Sequence, residues 1–150
     1  MLEPGTRAPD FTLSDENGLP VHLAEILASG PVLLYFYPAD FTPGCTREAC
    51  AIRDLHPSLD AGGVRVLGVS PQDVVSHRRF GEKHRLPFRL LADPEREAIR
   101  AYECAGPFGL VRRTSYLIGG DGIIRKAVRA DLRIGRHREF TARAAEANPA

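Results

Sequence analysis

The chain carries three cysteines, Cys45, Cys50 and Cys104, and the first stands where a thiol acquires chemistry. Thr42-Pro43 reads as a helix start, with a hydroxyl able to take up free backbone N–H groups and a proline at the first helical position, where its missing donor costs nothing. Cys45 then falls in the first turn, where unpaired N–H groups and the positive end of the helix dipole favour an anion. The thiolate is the nucleophilic form of sulfur, and an unperturbed thiol is only about 3% ionised at pH 7. A position that favours the anion is therefore a candidate for sulfur chemistry. The alternative is a buried cysteine used as a small apolar side chain. The preceding loop, Pro38 to Gly44, favours chemistry: it follows an apolar run, and strand-to-helix loops of open α/β sheets are preferred ligand sites. Its prolines lack an N–H and can shield a thiolate without competing for it. Thr42 either caps the helix or offers its hydroxyl to an incoming oxygen.

Cys50 follows Cys45 on the same predicted helix. A separation of five residues is a rise of about 7.5 Å and a rotation of about 140°, so the two side chains point apart. A disulfide needs Cα atoms within about 7 Å and converging Cβ vectors. If Cys50 captures an oxidised Cys45, the first helical turns must unwind, and Gly44 and Thr46 are weak helix formers that ease this. The spacing is Cys-x4-Cys, which argues against a thiol-disulfide oxidoreductase, since that chemistry uses Cys-x-x-Cys. Cys104, between Tyr102-Glu103 and Ala105-Gly106-Pro107 at a helix end, reads either as a structural or incidental thiol or as an alternative resolving or redox-sensing one. The five histidines, His22, His56, His77, His84 and His137, show no metal-ligand spacing and read as surface residues.

The elements that must position Cys45 alternate. Phe11 to Leu13 and Val21 to Leu23 flank a polar turn and predict a hairpin. Val32 to Tyr37 is a continuous apolar run, as in a central strand covered on both faces. The helix from Pro43 should reach about Leu55, with Gly62-Gly63 breaking the chain before a buried strand from Val64 to Val69. Ser70-Pro71-Gln72-Asp73 repeats the cap-and-proline start for a helix to about His84. Leu90-Leu91 reads as a strand, Asp93-Pro94-Glu95 opens a helix towards Tyr102, and Thr114 to Ile118 pairs with Ile123 to Val128 across Gly119 to Gly122. A last helix covers about Arg136 to Ala147. Strands interleaved with helices predict an α/β fold, a mixed central sheet flanked by helices, in one domain spanning residues 1–150.

Composition narrows the partners. Lys plus Arg number 20 against 19 for Asp plus Glu, so no long-range field draws the chain to nucleic acid or anionic lipid. The N-terminus lacks the pattern of a secretory signal, and no apolar run approaches the roughly 20 residues of a membrane span. A cytoplasmic location is expected, where thiols stay reduced and cysteines are catalytic or buried rather than a disulfide framework.

The stretch Tyr35-Phe36-Tyr37-Pro38-Ala39-Asp40-Phe41-Thr42-Pro43-Gly44-Cys45-Thr46-Arg47-Glu48-Ala49-Cys50 closely resembles the peroxidatic segment of peroxiredoxins of the Q-type (bacterioferritin comigratory protein) subfamily. Its Pro-x-x-x-Thr-x-x-Cys core reads here as Pro38, Thr42 and Cys45. The likeness continues at Gly5 to Phe11 and at Arg113 to Ile118, in the family's order. The resemblance implies a thioredoxin-like fold and reduction of hydrogen peroxide and organic hydroperoxides with no metal or bound cofactor. It implies Cys45 as the peroxidatic residue, with Thr42 and Arg113 orienting the peroxide. It further implies Cys50 as a resolving thiol in the same helix, thioredoxin or a similar dithiol as reductant, and a monomer or weak homodimer. Strand alternation sends Arg112 and Arg113 to opposite faces, and the family register selects Arg113. Glu48 resembles the family's glutamate and either holds Arg113 or pairs with Arg47 or Arg53 at the surface.

Overall fold

A computed structural model describes residues 1–131 and 133–147. Seven strands form one sheet: β1 (Thr12–Ser14), β2 (Pro20–His22), β3 (Val32–Phe36), β4 (Arg65–Ser70), β5 (Arg89–Ala92), β6 (Thr114–Ile118) and β7 (Ile124–Arg129). Their spatial order is β2-β1-β5-β4-β3-β6-β7. β3 pairs with β4 and β4 with β5 in parallel, and the remaining pairings are antiparallel, so the sheet is mixed as the sequence predicts.

β3 lies between two strands and is buried along its whole length. Its side chains divide by the two-residue period of a strand. Val32, Leu34 and Phe36 enter one core with Leu67, Val69, Ile99 and Tyr102. Leu33, Tyr35 and Tyr37 enter the other with Cys45, Ile52, Phe80 and Leu90. Helices α1 (Leu23–Leu27) and α4 (Glu97–Ala101) cover the first face; α2 (Pro43–Ala61), α3 (Val74–His84) and α5 (Ile134–Ala147) cover the second. Among the described residues no helix is long and apolar enough to cross a membrane.

Several boundaries differ from the sequence reading for identifiable reasons. α2 runs to Ala61 rather than Leu55, carrying Pro57 inside it, because buried Leu59 extends its apolar face up to the Gly62-Gly63 stop. α3 begins at Val74, not at Ser70-Pro71: Asp73 is the cap, and its carboxylate accepts from the Ser76 N–H at 2.8 Å. α4 starts only at Glu97, after Arg96 turns into the left-handed region (φ 61°). The buried carboxylate of Asp93 still serves this start, accepting from the Glu97 and Ile99 N–H groups. α5 begins two residues before the expected Arg136. The short helix α1 and a 3-10 turn at Pro107–Gly109 went unread, since stretches this short have no periodicity to read.

Tyr35 lies opposite Gly68 on the parallel strand β4. A Cβ at Gly68 would stand 2.8 Å from the Tyr35 ring and hydroxyl, so the close approach of this tyrosine requires glycine. Gly68→Ala should lower stability by about 1–3 kcal/mol. An unchanged urea midpoint would show that the ring moves aside freely.

Candidate active site

β3 delivers the chain to the loop of residues 37–42, and α2 carries it away. Phe41 takes a positive φ of 66° and remains 46% exposed, with its ring edge against Phe80. Cys45, in the first turn of α2, is 1% exposed. Gly44 precedes it, and a Cβ there would lie 3.2 Å from Arg113 Nη2. Glycine therefore makes room for the guanidinium.

Arg113 bridges the site. Nη2 donates to Cys45 Sγ at 3.1 Å, and Nη1 donates to Glu48 Oε1 at 2.6 Å. Its backbone N–H donates to Asp131 Oδ1 at 2.9 Å, while Arg112 turns outward and donates from Nε to Asp131 Oδ2. The two arginines thus take opposite directions, as the sequence predicts, although both lie just before β6 rather than in it. Burial works against the Arg113 charge, but Glu48 and Cys45 outweigh it and raise its pKa further. Glu48 is the converse: burial pushes its carboxyl up to about 7 although Arg113 pulls it down.

Thr42 stands at the N-cap of α2 with extended backbone but makes no side-chain cap. Its Oγ1 donates instead to the Ala39 carbonyl at 2.8 Å, so the capping alternative falls and the hydroxyl oxygen keeps its lone pairs free of that bond. Glu48 joins Arg113 and not the surface arginines; Arg53 reaches Asp54 and the His84 carbonyl. Pro38 is half-buried in the loop. Cys50 is half-buried within unbroken α2, Cys104 is fully buried with its thiol pKa raised by burial, and all three cysteines are free.

Two histidines are not surface residues. His77 and His137 are both buried, because each lies on the inward stripe of its helix. His77 Nδ1 lies 2.7 Å from Asp40 Oδ2, and Nε2 lies 3.0 Å from the Leu91 carbonyl. The same Asp40 carboxylate accepts from Tyr37 Oη at 2.6 Å and from Ser76 Oγ at 2.7 Å, and the Asp40 N–H donates to Gln72. This cluster fastens the loop before Cys45 to α3. On the other side, His137 of α5 touches the Ala130 carbonyl, Ser115 and Glu48. Sequence reading missed both clusters, though the helical spacing of His137, Phe140, Thr141 and Ala144 is a readable signal for burial.

A helix-start thiol, an arginine fork on its sulfur and a buried carboxylate behind the fork, all on a thioredoxin-like sheet, define a site arranged for cysteine chemistry. Residues 4–127 match the family model described as AhpC/TSA family. The chain is 43% identical over 122 residues to a chloroplastic peroxiredoxin Q of Arabidopsis thaliana, covering 80% of this chain and 56% of that protein. It thus spans little more than half the length of that relative. It is 41% identical to a putative peroxiredoxin bcp of Coxiella burnetii, covering 82% of this chain and 85% of the relative. The crystal structure of peroxidoxin BcpB from Mycobacterium tuberculosis superposes with a TM-score of 0.92 at 30% identity, over 100% of both chains. The chain belongs to the AhpC/TSA family, and within it to the peroxiredoxins of Q type.

Proposed function

We propose that this chain is a thiol peroxidase. The Cys45 thiolate attacks the terminal oxygen of hydrogen peroxide or an organic hydroperoxide. The O–O bond breaks, sulfur becomes a sulfenic acid, and the departing oxyanion takes a proton to leave as water or alcohol. The Cys50 thiol then condenses with the sulfenic acid, forming a disulfide and releasing water. A dithiol such as thioredoxin reduces that disulfide and is itself oxidised.

The observation that carries this reading is the Arg113 fork, with one amino group on Cys45 Sγ and the other on Glu48. A guanidinium held beside the sulfur can also donate to the oxygen on which charge develops as the O–O bond breaks, lowering the barrier without reorganising. Thr42, at the start of the same helix, offers an oxygen that can accept a hydrogen bond from the peroxide O–H. Pro38, half-buried in the loop before Cys45, lacks an N–H and so does not compete for a thiolate. A thiol only 1% exposed suits a small oxidant.

Resolution asks more of the fold. α2 is continuous through Cys45 and Cys50, so the proposed disulfide requires its first turns to open, where Gly44 and Thr46 weaken the helix. A bond within one helix needs no second subunit, in keeping with a monomer or weak homodimer. The cycle needs a supply of reducing equivalents, which suits a cytoplasmic setting.

The test is one equivalent of hydrogen peroxide on the reduced protein, quenched by alkylation and mapped after trypsin, since cleavage at Arg47 separates the two thiols. Rapid formation of a Cys45–Cys50 link, replaced in Cys50→Ser by a lasting sulfenic acid, supports both assignments. Oxidation of Cys45 no faster than free cysteine sinks the peroxidase reading, and a rapid link to Cys104 sinks only the role of Cys50.

A further inference from the structure

Behind the arginine fork, the second carboxylate oxygen of Glu48 is buried and has no hydrogen-bond partner. His137 Nδ1 lies 3.5 Å from it. The tautomer of this imidazole follows from its other contacts. Nε2 lies 3.1 Å from the Ala130 carbonyl, which can only accept, so Nε2 carries the hydrogen. In the neutral ring Nδ1 is then a lone pair, 2.9 Å from the Ser115 hydroxyl. A lone pair facing a buried carboxylate oxygen repels it. One proton between them turns the contact into a hydrogen bond.

We propose that His137 is a positioning residue of the thiol site: its Nδ1 shares one proton with Glu48 Oε2, and that proton decides whether the Arg113 fork is drawn to Glu48 or released to Cys45. The inference rests on the thiol-peroxidase reading and adds a residue on α5 to it. With the proton in place, Glu48 is a neutral acid that donates to His137 and leaves the Arg113 charge to the sulfur. Without it, Glu48 is an anion that competes for the guanidinium, and Ser115 alone occupies Nδ1.

The electrostatics agree with this arrangement. Burial raises the Glu48 carboxyl to about 7, and burial lowers His137 to about 4 in spite of its bond to Ala130. The imidazole is therefore neutral where the carboxyl titrates. The groups facing the pair are Cys45 from α2, Tyr35 from β3, Arg113 and Ser115 at and before β6, Asp131 from the loop after β7, and Arg136 from α5. Arg113 and Arg136 disfavour an imidazolium, whereas Asp131 favours one.

The two ring nitrogens can be replaced separately. His137→Asn puts an acceptor near Nδ1 and gives up the tie to Ala130; His137→Gln keeps a donor near Nε2 and gives up the acceptor facing Glu48. The readouts are the rate of Cys45 oxidation by hydrogen peroxide and, independently of peroxidase activity, the rate of Cys45 alkylation by iodoacetamide, each from pH 5 to 9. His137→Gln should slow peroxide oxidation about 10- to 100-fold. It should also move the near-neutral inflection of the alkylation profile to lower pH by about one unit, because the protonated carboxyl has lost its acceptor. His137→Asn should stay close to wild type in both. Should neither fold, Glu48→Gln, whose amide is a permanent donor to Nδ1, should abolish the inflection. The proposal is overturned if His137→Gln keeps the wild-type profile, if both His137 variants are impaired equally, or if Glu48→Gln retains the inflection. Slow peroxide oxidation by wild type, with the shifted alkylation profile intact, would instead count against the peroxidase reading.

Discussion

Arg113→Ala should slow the reaction of Cys45 with hydrogen peroxide about 100- to 1,000-fold, the loss typical when a fixed donor to developing charge is removed. Two effects combine. The sulfur loses a donor at 3.1 Å, and the departing oxygen loses a preorganised cation that water replaces only at the cost of reordering. Arg113→Lys should rescue little, because one ammonium is a point charge and cannot span Cys45 Sγ and Glu48 Oε1 as the planar fork does. Gly44→Ala should produce a milder version of the same defect with Arg113 still present, since its Cβ would crowd Nη2 at 3.2 Å. Rapid-quench alkylation gives the rate constants directly. A rate for Arg113→Ala within a few-fold of wild type would remove the fork from the mechanism and leave Arg113 as a packing residue.

The sequence made the thiol site legible because its signals are local. Proline at the first helical position, the cysteine two residues later and the apolar run before the loop all lie within one strand-loop-helix unit, and the structure places them as that unit demands. Arg113 was legible for a different reason: alternation excludes Arg112 from the same face, and the family register made the choice. What stayed hidden depends on contacts distant in sequence. Asp40 and His77 are 37 residues apart and meet only because β3 and β4 run parallel. Glu48 and His137 meet only because α5 packs against α2. Histidine gives no clue of its own, being equally at home in water or in a satisfied buried network. The failed cap at Thr42 has the same origin, since the hydroxyl found a carbonyl in its own loop, a competition that helix rules do not register.

Asp40→Ala should destabilise the fold by about 3–5 kcal/mol, more than Gly68→Ala. Its carboxylate is fully buried and takes hydrogen bonds from Tyr37 and Ser76 while facing His77. Removing it strands three polar partners at once, and stranding a buried partner costs more than the intact pair contributes. Against a total stability of about 5–15 kcal/mol, such a loss would move the urea midpoint far towards zero. The damage should also be local. Asp40 sits between Pro38 and Thr42; its side chain ties that loop to Ser76 and His77 of α3, and its backbone N–H ties it to Gln72 just before α3. Cys45 should therefore become more accessible to iodoacetamide in Asp40→Ala even without denaturant. A double-mutant cycle with His77→Ala separates the pair from its surroundings: the double variant should be less destabilised than the sum of the singles by about 0.5–3 kcal/mol. Strict additivity would mean that His77 and Asp40 do not interact energetically, and that the loop is held by its other contacts, those of Asp40 with Tyr37, Ser76 and Gln72 and of Phe41 with Phe80.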